Sequence, residues 1–159
     1  MANRPAITIY VDADACPVKA EAIRVAERHG LPIVFVSNAY MRLPEGPLIS
    51  RVIVDEGPDV ADDWIAERAG PTDIVVTQDI PLASRALSAG AAAIGNTGKP
   101  FDQTSIGMAL AMRELKQHLR ETNSGGQFNA AFTAKDRSQF LQSLENAVQA
   151  KKRAAAAGL

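Results

Sequence analysis

A chain of 159 residues is long enough to bury a hydrophobic core and short enough to form a single domain. Its hydrophobic fraction of 47% and charged fraction of 22% are typical of globular proteins, and no apolar run reaches the ~18–20 residues that span a bilayer. The one cysteine, Cys16, excludes an internal disulfide and a cysteine-based zinc site. The N-terminus lacks the apolar segment of a signal peptide, so a cytoplasmic location without membrane contact is expected.

Five apolar runs are predicted to form β-strands. The first, ITIYVD, is apolar almost throughout, as expected of a strand that is buried on both faces of a sheet. Asp73 begins the fourth run and is expected to lie at the surface. The predicted strands are residues 7–12, 32–37, 51–55, 73–79 and 91–95.

Helical patterns alternate with these strands. Pro17 suits the first turn of the first helix and Gly30 its end. The stretches GPDVADDWIAERAG and IPLASRALSAG predict the second and third helices. A long fourth helix is predicted from about Gln103 to Glu121, and a fifth begins near Ala134.

This alternation predicts an α/β protein, a single three-layer α/β/α domain with a mainly parallel sheet of about five strands. The domain is expected to cover residues 1–150, followed by a basic, alanine-rich tail at 151–159 that frays. Right-handed crossovers place the carboxyl ends of all strands along one edge, which is where ligands bind in such folds.

Aspartates from three segments are predicted to meet at that edge. Asp12 and Asp14 follow the first strand, and Asp79 follows the fourth. Asp59 and Asp62 lie in the first turns of the second helix and, with Asp63, are spaced to share one helix face. No lysine occurs between Lys19 and Lys99 to neutralise the cluster.

Crowded carboxylates must take up protons or bind a cation, and oxygen ligands suit Mg²⁺ or Mn²⁺. The structural alternative is that Asp59, Asp62 and Asp63 serve only as a cap and as a complement to the helix dipole. Asp12, Asp14 and Asp79 are harder to explain in that way, because strand-end aspartates are expected to gain little from capping. The sequence therefore favours a functional role for these three.

Three other features carry weaker signals. Cys16 is surrounded by acids and has no histidine near it in the sequence, so it is predicted to be a buried core thiol. The stretch GNTGKP at 95–100 has some likeness to a phosphate-binding loop but lacks its spacing. Residues 1–95 have an excess of five acidic side chains and residues 96–159 an excess of four basic ones. This asymmetry suits a phosphate-containing ligand, or it reflects a solvated basic tail.

The motifs VDADACPVK, GPDVADDWI, DIVVTQDIPLA, IGMALAMRELKQHLR and FTAKDRSQFLQSL resemble, in order and spacing, the YaiI/YqxD family of bacterial proteins. The resemblance runs from residue 7 to about residue 148. It implies a PIN-like nuclease fold, in which acids on a parallel sheet bind Mg²⁺ or Mn²⁺ and cleave nucleic-acid phosphodiesters. By this resemblance the site acids are Asp12, Asp14, Asp59, Asp62 and Asp79. The loop at 124–132 departs from the family, because GGQFNAAF lacks the Gly-Pro that usually precedes the phenylalanine.

The leading functional hypothesis is a metal-dependent nuclease that acts on RNA. Asp12, Asp59 and Asp79 would hold the metal, while Asp14 and Asp62 would orient metal-bound waters. Lys19 and Arg113 are candidate phosphate contacts, with solvated helix surface as the alternative.

Two further hypotheses remain open. A phosphatase that uses Asp12 and Asp14 as nucleophile and general acid would take Ser37 as its phosphate-binding hydroxyl. The stretch DADAC and the absence of a lysine after Ser37 and before the last acids count against it. The other hypothesis is a non-catalytic protein that binds RNA or a partner.

Overall fold

The computed structural model describes residues 6–14, 16–122 and 131–157, with backbone alone at Arg113 and at residues 117–122. Five strands and five helices occur in the predicted order, with no helix between the second and third strands. The strands are β1 Ile9–Asp12, β2 Ile33–Ser37, β3 Ile49–Ile53, β4 Ile74–Val76 and β5 Ala92–Ile94. The helices are α1 Lys19–His29, α2 Val60–Arg68, α3 Ile80–Ser88, α4 Gln103–Thr122 and α5 Ala134–Ala156. The expected α/β class is confirmed.

The strands form one parallel sheet in the order β3-β2-β1-β4-β5. The central strand β1 pairs with β2 on one side, Asp12 opposite Val36, and with β4 on the other, Val11 opposite Val76. The chain moves outward from β1 to β3 and then crosses back to β4. The connections from β1 and β4 therefore lead in opposite directions, which opens a crevice between the carboxyl ends of these two strands.

Helices cover both faces of the sheet and give the domain three layers. One core unites the inner side of α1 with that of α5, where Phe140, Leu144 and Val148 are fully buried. The other core unites α2, α3 and the start of α4 through Ile65, Leu82 and Ile106. Burying one such side chain contributes about 1.5–3 kcal/mol, so both layers hold the sheet firmly.

Local signals explain where several helices begin and end. Gly30 ends α1 in the left-handed conformation, with φ 65°, which glycine adopts without steric cost. Thr133 and Asp136 form a reciprocal capping box at the start of α5. Pro81 lies in the first turn of α3, where a missing N–H costs nothing.

The stretch GNTGKP is a compact turn that packs against α5. The N–H of Gly98 donates to the carbonyl of Gly95, and the N–H of Gly95 donates to that of Lys99. A Cβ at Gly98, whose φ is +85°, would lie 2.5 Å from the carbonyl oxygen of Gln139. Because the loop uses these amides internally, the structure gives no support to a phosphate-binding loop here.

Three differences from the sequence prediction have physical reasons. Strand β4 is shorter than expected, because the chain turns after Val76 to place Asp79 at the start of α3. Asp73 is buried rather than superficial, with 8% exposure, because backbone N–H groups satisfy its carboxylate. Residues 151–156 continue α5, and Lys151 donates to the carbonyl oxygens of Pro71 and Gly90. Fraying of the tail stays a prediction.

No helix in residues 6–14, 16–122 or 131–157 is long and apolar enough to cross a bilayer.

Candidate functional site

Asp12 and Asp79 lie on the two sides of the crevice, and Thr77 connects them. The hydroxyl of Thr77 donates to Oδ2 of Asp12 at 2.8 Å and accepts from the backbone N–H of Asp79 at 2.9 Å. A hydroxyl has one proton and two lone pairs, so it can make both bonds at once. Thr77 is only 1% exposed, and this buried link fixes the two aspartates relative to each other.

Asp79 has a second role that the sequence argument missed. Its Oδ1 accepts from the backbone N–H of Leu82 at 2.8 Å, which makes Asp79 the N-cap of α3. The expectation that strand-end aspartates gain little from capping is therefore wrong for Asp79. The charge of Asp79 also raises the pKa of the neighbouring Asp62. Asp79 is therefore both a helix cap and a member of the acid cluster.

Asp14 lies two residues beyond the end of β1 and is held by a residue of β2. The hydroxyl of Ser37 donates to Oδ1 of Asp14 at 2.5 Å and accepts from the N–H of Ala39 at 3.2 Å. Ser37 is 4% exposed. Its hydroxyl proton is committed to Asp14, so Ser37 acts in this structure as a support for that carboxylate.

The acids of α2 do not share one face as the spacing predicts. Asp63 turns toward α3 and pairs with Arg85 at 2.6 Å on the surface. Asp62 turns toward Asp12 and Asp79 in the crevice. Adjacent helix positions differ by about 100°, and the ion pair with Arg85 directs Asp63 away from the crevice.

Asp59 has the only positive φ of a non-glycine residue in the described part of the chain. It precedes α2 with φ 69°, and its side chain makes no capping bond. The left-handed conformation is costly for residues with a Cβ, although aspartate tolerates it better than most. Capping thus does not explain Asp59, and residues held in such conformations are concentrated at functional sites.

Burial and the charges of neighbouring acids raise the pKa of two of these carboxyl groups, Asp62 and Asp12. Burial, and then the charges of Asp79 and Asp12, raise the pKa of Asp62 from 3.8 to about 7. Burial also raises the pKa of Asp12, further aided by the charges of Asp14 and Asp79, although the hydrogen bond from Thr77 opposes the change. Ionisation of each acid is therefore opposed by its neighbours.

The carboxylate oxygens of the site are ligands that suit a hard divalent cation, but they do not surround a common point. In the part of the chain that the structure describes, no group of three or more His, Cys, Asp or Glu side chains lies close enough together to hold a metal ion. Mg²⁺ retains several waters and needs only one or two carboxylates, so an enclosing cage is not required for it. Asp12 and Asp79 supply two carboxylates, and Asp59 precedes the helix that carries Asp62.

Comparison with known proteins gives the family. A family model described as "Uncharacterized BCR, YaiI/YqxD family" matches residues 10–150. The chain belongs to the YaiI/YqxD family. A UPF0178 protein of Parvibaculum lavamentivorans is 64% identical over 145 residues, which cover 91% of this chain and 95% of the relative. UPF0178 proteins of Rhizobium meliloti and Caulobacter vibrioides are 57% identical over 145 residues and 54% identical over 148. No solved structure matches the chain.

The two basic residues predicted to contact phosphate differ in how far the structure describes them. Lys19 is half-buried at the start of α1, where its Nζ donates to the carbonyl of Cys16 at 3.0 Å. The side chain of Arg113 lies outside the described residues, as do residues 124–130 of the loop that departs from the YaiI/YqxD pattern. Cys16 is buried, as predicted, and burial raises the pKa of its thiol.

Sequence reasoning missed Thr77, although the sequence carries a signal for it. Thr77 is the one hydroxyl in the run DIVVTQD, at the end of a strand that is otherwise buried and apolar. A buried hydroxyl requires a hydrogen-bond partner. The acids that flank the neighbouring strand ends are the partners that it finds.

Proposed function

We propose that this protein is a divalent-metal-dependent nuclease that cleaves RNA in the crevice between β1 and β4. The observation that carries the proposal is the convergence of carboxylates from three segments at the point where the strand order reverses. Among the described residues, none of the site aspartates makes an ion pair. The negative charges of these aspartates therefore repel one another, and a bound cation is the simplest way to compensate them. The site aspartates are Asp12, Asp14, Asp59, Asp62 and Asp79.

The residues take different parts in this reaction. Asp12, Asp59 and Asp79 would hold Mg²⁺ or Mn²⁺, which when bound activates a water and stabilises the leaving oxygen. Thr77 positions Asp12 and Asp79, and Ser37 positions Asp14. Asp14 and Asp62 orient water at the edge of the site through their remaining oxygens. Lys19 and Arg113 remain candidates for contacts with phosphate.

The phosphatase alternative receives less support from the geometry. It requires Ser37 to offer its hydroxyl to a phosphate, but that hydroxyl is buried and bonded to Asp14 and to the backbone of Ala39. Moving it would leave Asp14 without the hydrogen bond that holds it. A nuclease needs no free hydroxyl at this position.

The test is cleavage of labelled single-stranded RNA with Mn²⁺, with EDTA as the stop. Asp12→Asn and Asp79→Asn should each lower the rate by at least about 100-fold. Asn at position 79 still accepts from Leu82, so loss of activity would not reflect a lost helix cap. Asp63→Asn is the matched control, because Asp63 faces Arg85 and should leave the rate unchanged.

Two results would contradict the proposal. Release of phosphate from small phosphomonoesters, without cleavage of RNA, would favour the phosphatase. Binding of Mn²⁺ and RNA without cleavage of any RNA would favour the non-catalytic protein.

A further inference from the structure

A groove of about 630 Å³ opens directly beside the acid cluster. Asp79 belongs to its lining, and α4 contributes Met108, Met112 and Lys116 to it. Lys99, from the turn after β5, also lines the groove. The groove thus adjoins the crevice through Asp79, and α4 supplies most of its lining.

The groove is basic, in contrast to the crevice. Lys99 and Lys116 are exposed, and the ion pairs among described residues include neither of them. An anionic ligand in the groove would therefore lie near the positive charges of Lys99 and Lys116. The part of that ligand at the aspartates would be repelled unless a cation were bound there. This order of charges fits a polyanion better than a single phosphate group.

The wall of the groove is also apolar and largely uncovered. Met108 is 71% exposed and Met112 51%, and their spacing of four residues places them on one stripe of α4. Exposed apolar side chains that are grouped together mark binding surfaces. Methionine makes favourable contacts between its sulfur and aromatic rings and adapts its shape to them. Flat aromatic groups with charged links between them are what a polynucleotide presents.

We propose that this groove holds a single-stranded polynucleotide on its way to the acid site. Lys99 and Lys116 contact successive phosphates, and Met108 and Met112 pack against bases. The proposal rests on the proposed nuclease function and extends it to a binding surface. A second protein molecule would also cover the methionines, but it would give no reason for two lysines beside a carboxylate site.

The length of the wall sets the length of the bound segment. Ser105 begins the lining on α4 and Lys116 ends it. At about 1.5 Å per residue this stretch rises by about 16 Å. That distance accommodates about five nucleotides at the ~3.4 Å rise of a stacked strand.

The experiment measures the binding of labelled oligouridylates of 3 to 15 nucleotides to the Asp12→Asn protein, which should not cleave them. Adding Lys99→Gln and Lys116→Gln should weaken binding by at least about tenfold at low salt. It should also reduce the slope of log affinity against log salt by about 1.4, since each phosphate contact on a single strand contributes ~0.7. Affinity should increase up to about five nucleotides and then level off.

Two further variants make the test specific. Met108→Ser with Met112→Ser should weaken binding without changing the salt slope, because no charge is lost. Lys135→Gln with Arg153→Gln removes two exposed charges from α5 and should leave both quantities unchanged. Parallel measurements with oligodeoxyuridylates, which differ from oligouridylates only in the sugar, report whether the 2′-hydroxyl matters. Failure of the lysine substitutions to weaken the binding of either series would contradict the groove.

The possible failures can be told apart. If RNA is cleaved but the lysine and methionine variants bind and cleave like the parent proteins, the groove proposal is wrong and the nuclease stands. If the lysine variants lose binding but the wild type cleaves nothing, the groove stands and the nuclease is wrong. A dimer that dissociates on Met108→Ser, with no polynucleotide binding, would show that the stripe pairs two copies instead.

Discussion

The two ends of strand β4 both carry aspartates, and they differ in how the charge is compensated. At the beginning, Asp73 is buried, and its two oxygens accept from the backbone N–H groups of Thr8 at 3.0 Å and Gly70 at 2.9 Å. These donors tie the start of β1 and the end of α2 to the start of β4. Asp73 is therefore a structural residue, although it is the most buried acid of the described chain.

Beyond the other end of β4, several carboxyl groups share few donors. Asp12, Asp14 and Asp79 each accept one hydrogen bond, from Thr77, Ser37 and Leu82 respectively. No hydrogen bond to Asp62 is made within the described residues, and its carboxyl group instead faces two other acids. Burial of an acid does not by itself indicate function. A more informative measure is how many hydrogen-bond donors are available to each carboxylate, since a cluster with few donors is the one that calls for a ligand.

The largest effect on stability is expected at Asp73. Asp73→Ala removes both hydrogen bonds and leaves two N–H groups without acceptors, at about 1–3 kcal/mol each, so the free energy of unfolding should fall by about 2–6 kcal/mol. Urea denaturation measures this loss. An Asp73→Ala protein as stable as the wild type would show that Asp73 does not stabilise the fold.

Asp12→Asn should show the opposite behaviour. Asn keeps an acceptor for Thr77 and removes one of the crowded charges, so its melting temperature in EDTA should equal or exceed that of the wild type. At Mn²⁺ concentrations 100-fold above Kd the wild type should gain about 2.7 kcal/mol, and Asp12→Asn should not. Clear destabilisation in EDTA, with the full Mn²⁺ gain, would make Asp12 a structural residue like Asp73.

The stability of the protein is expected to depend on pH through Asp62. The carboxyl of Asp62 binds its proton more tightly in the folded protein, with a pKa of about 7, than in the unfolded chain at about 4. Its ionisation therefore costs no stability below about pH 4 and has its full effect above about pH 7. Solvent screens this half-buried group, so the cost should be about 1–2 kcal/mol.

Melting curves in EDTA between pH 4 and pH 8 measure this cost. The wild type should lose more stability over that range than Asp62→Asn. Asp63→Asn is the control, since it removes only a surface ion pair and should follow the wild type. If stability changed with pH in the same way for all three proteins, the charges of Asp79 and Asp12 would not raise the pKa of Asp62.

The smallest expected effect on stability is at Asp59. Glycine adopts φ 69° without strain, so Asp59→Gly should change the free energy of unfolding by less than about 1 kcal/mol. RNA cleavage should nevertheless fall, because a candidate metal ligand is lost. Asp59→Ala should be the less stable of the two variants by about 1 kcal/mol, since its Cβ keeps the strain. Full activity in Asp59→Gly would remove Asp59 from the site.

The sequence predicted the class of the fold and the convergence of acids, because both follow from local pattern and from the rules of parallel sheets. Apolar runs of five to seven residues identified the strands, and the rule on crossovers placed Asp12 and Asp79 at the same edge. What it could not predict depends on partners distant in sequence. Asp73 is satisfied by Thr8, 65 positions away. The direction of Asp63 depends on Arg85 in the next helix.

The link from Thr77 to Asp12 joins positions 65 residues apart, and this separation has a consequence for the order of folding. Strands β1 to β3 can pair before β4 has docked, but the crevice does not exist until β4 lies against β1. Closing a loop of that length costs more entropy than closing the shorter loops that join β1 to β2 and β2 to β3, so we expect it to be the slower step. The acids are therefore expected to come together, and to repel one another, late in folding, when β4 pairs with β1. A divalent cation present during refolding should accelerate only the pairing of β4 with β1. The time at which metal binding appears would then report when the sheet is complete.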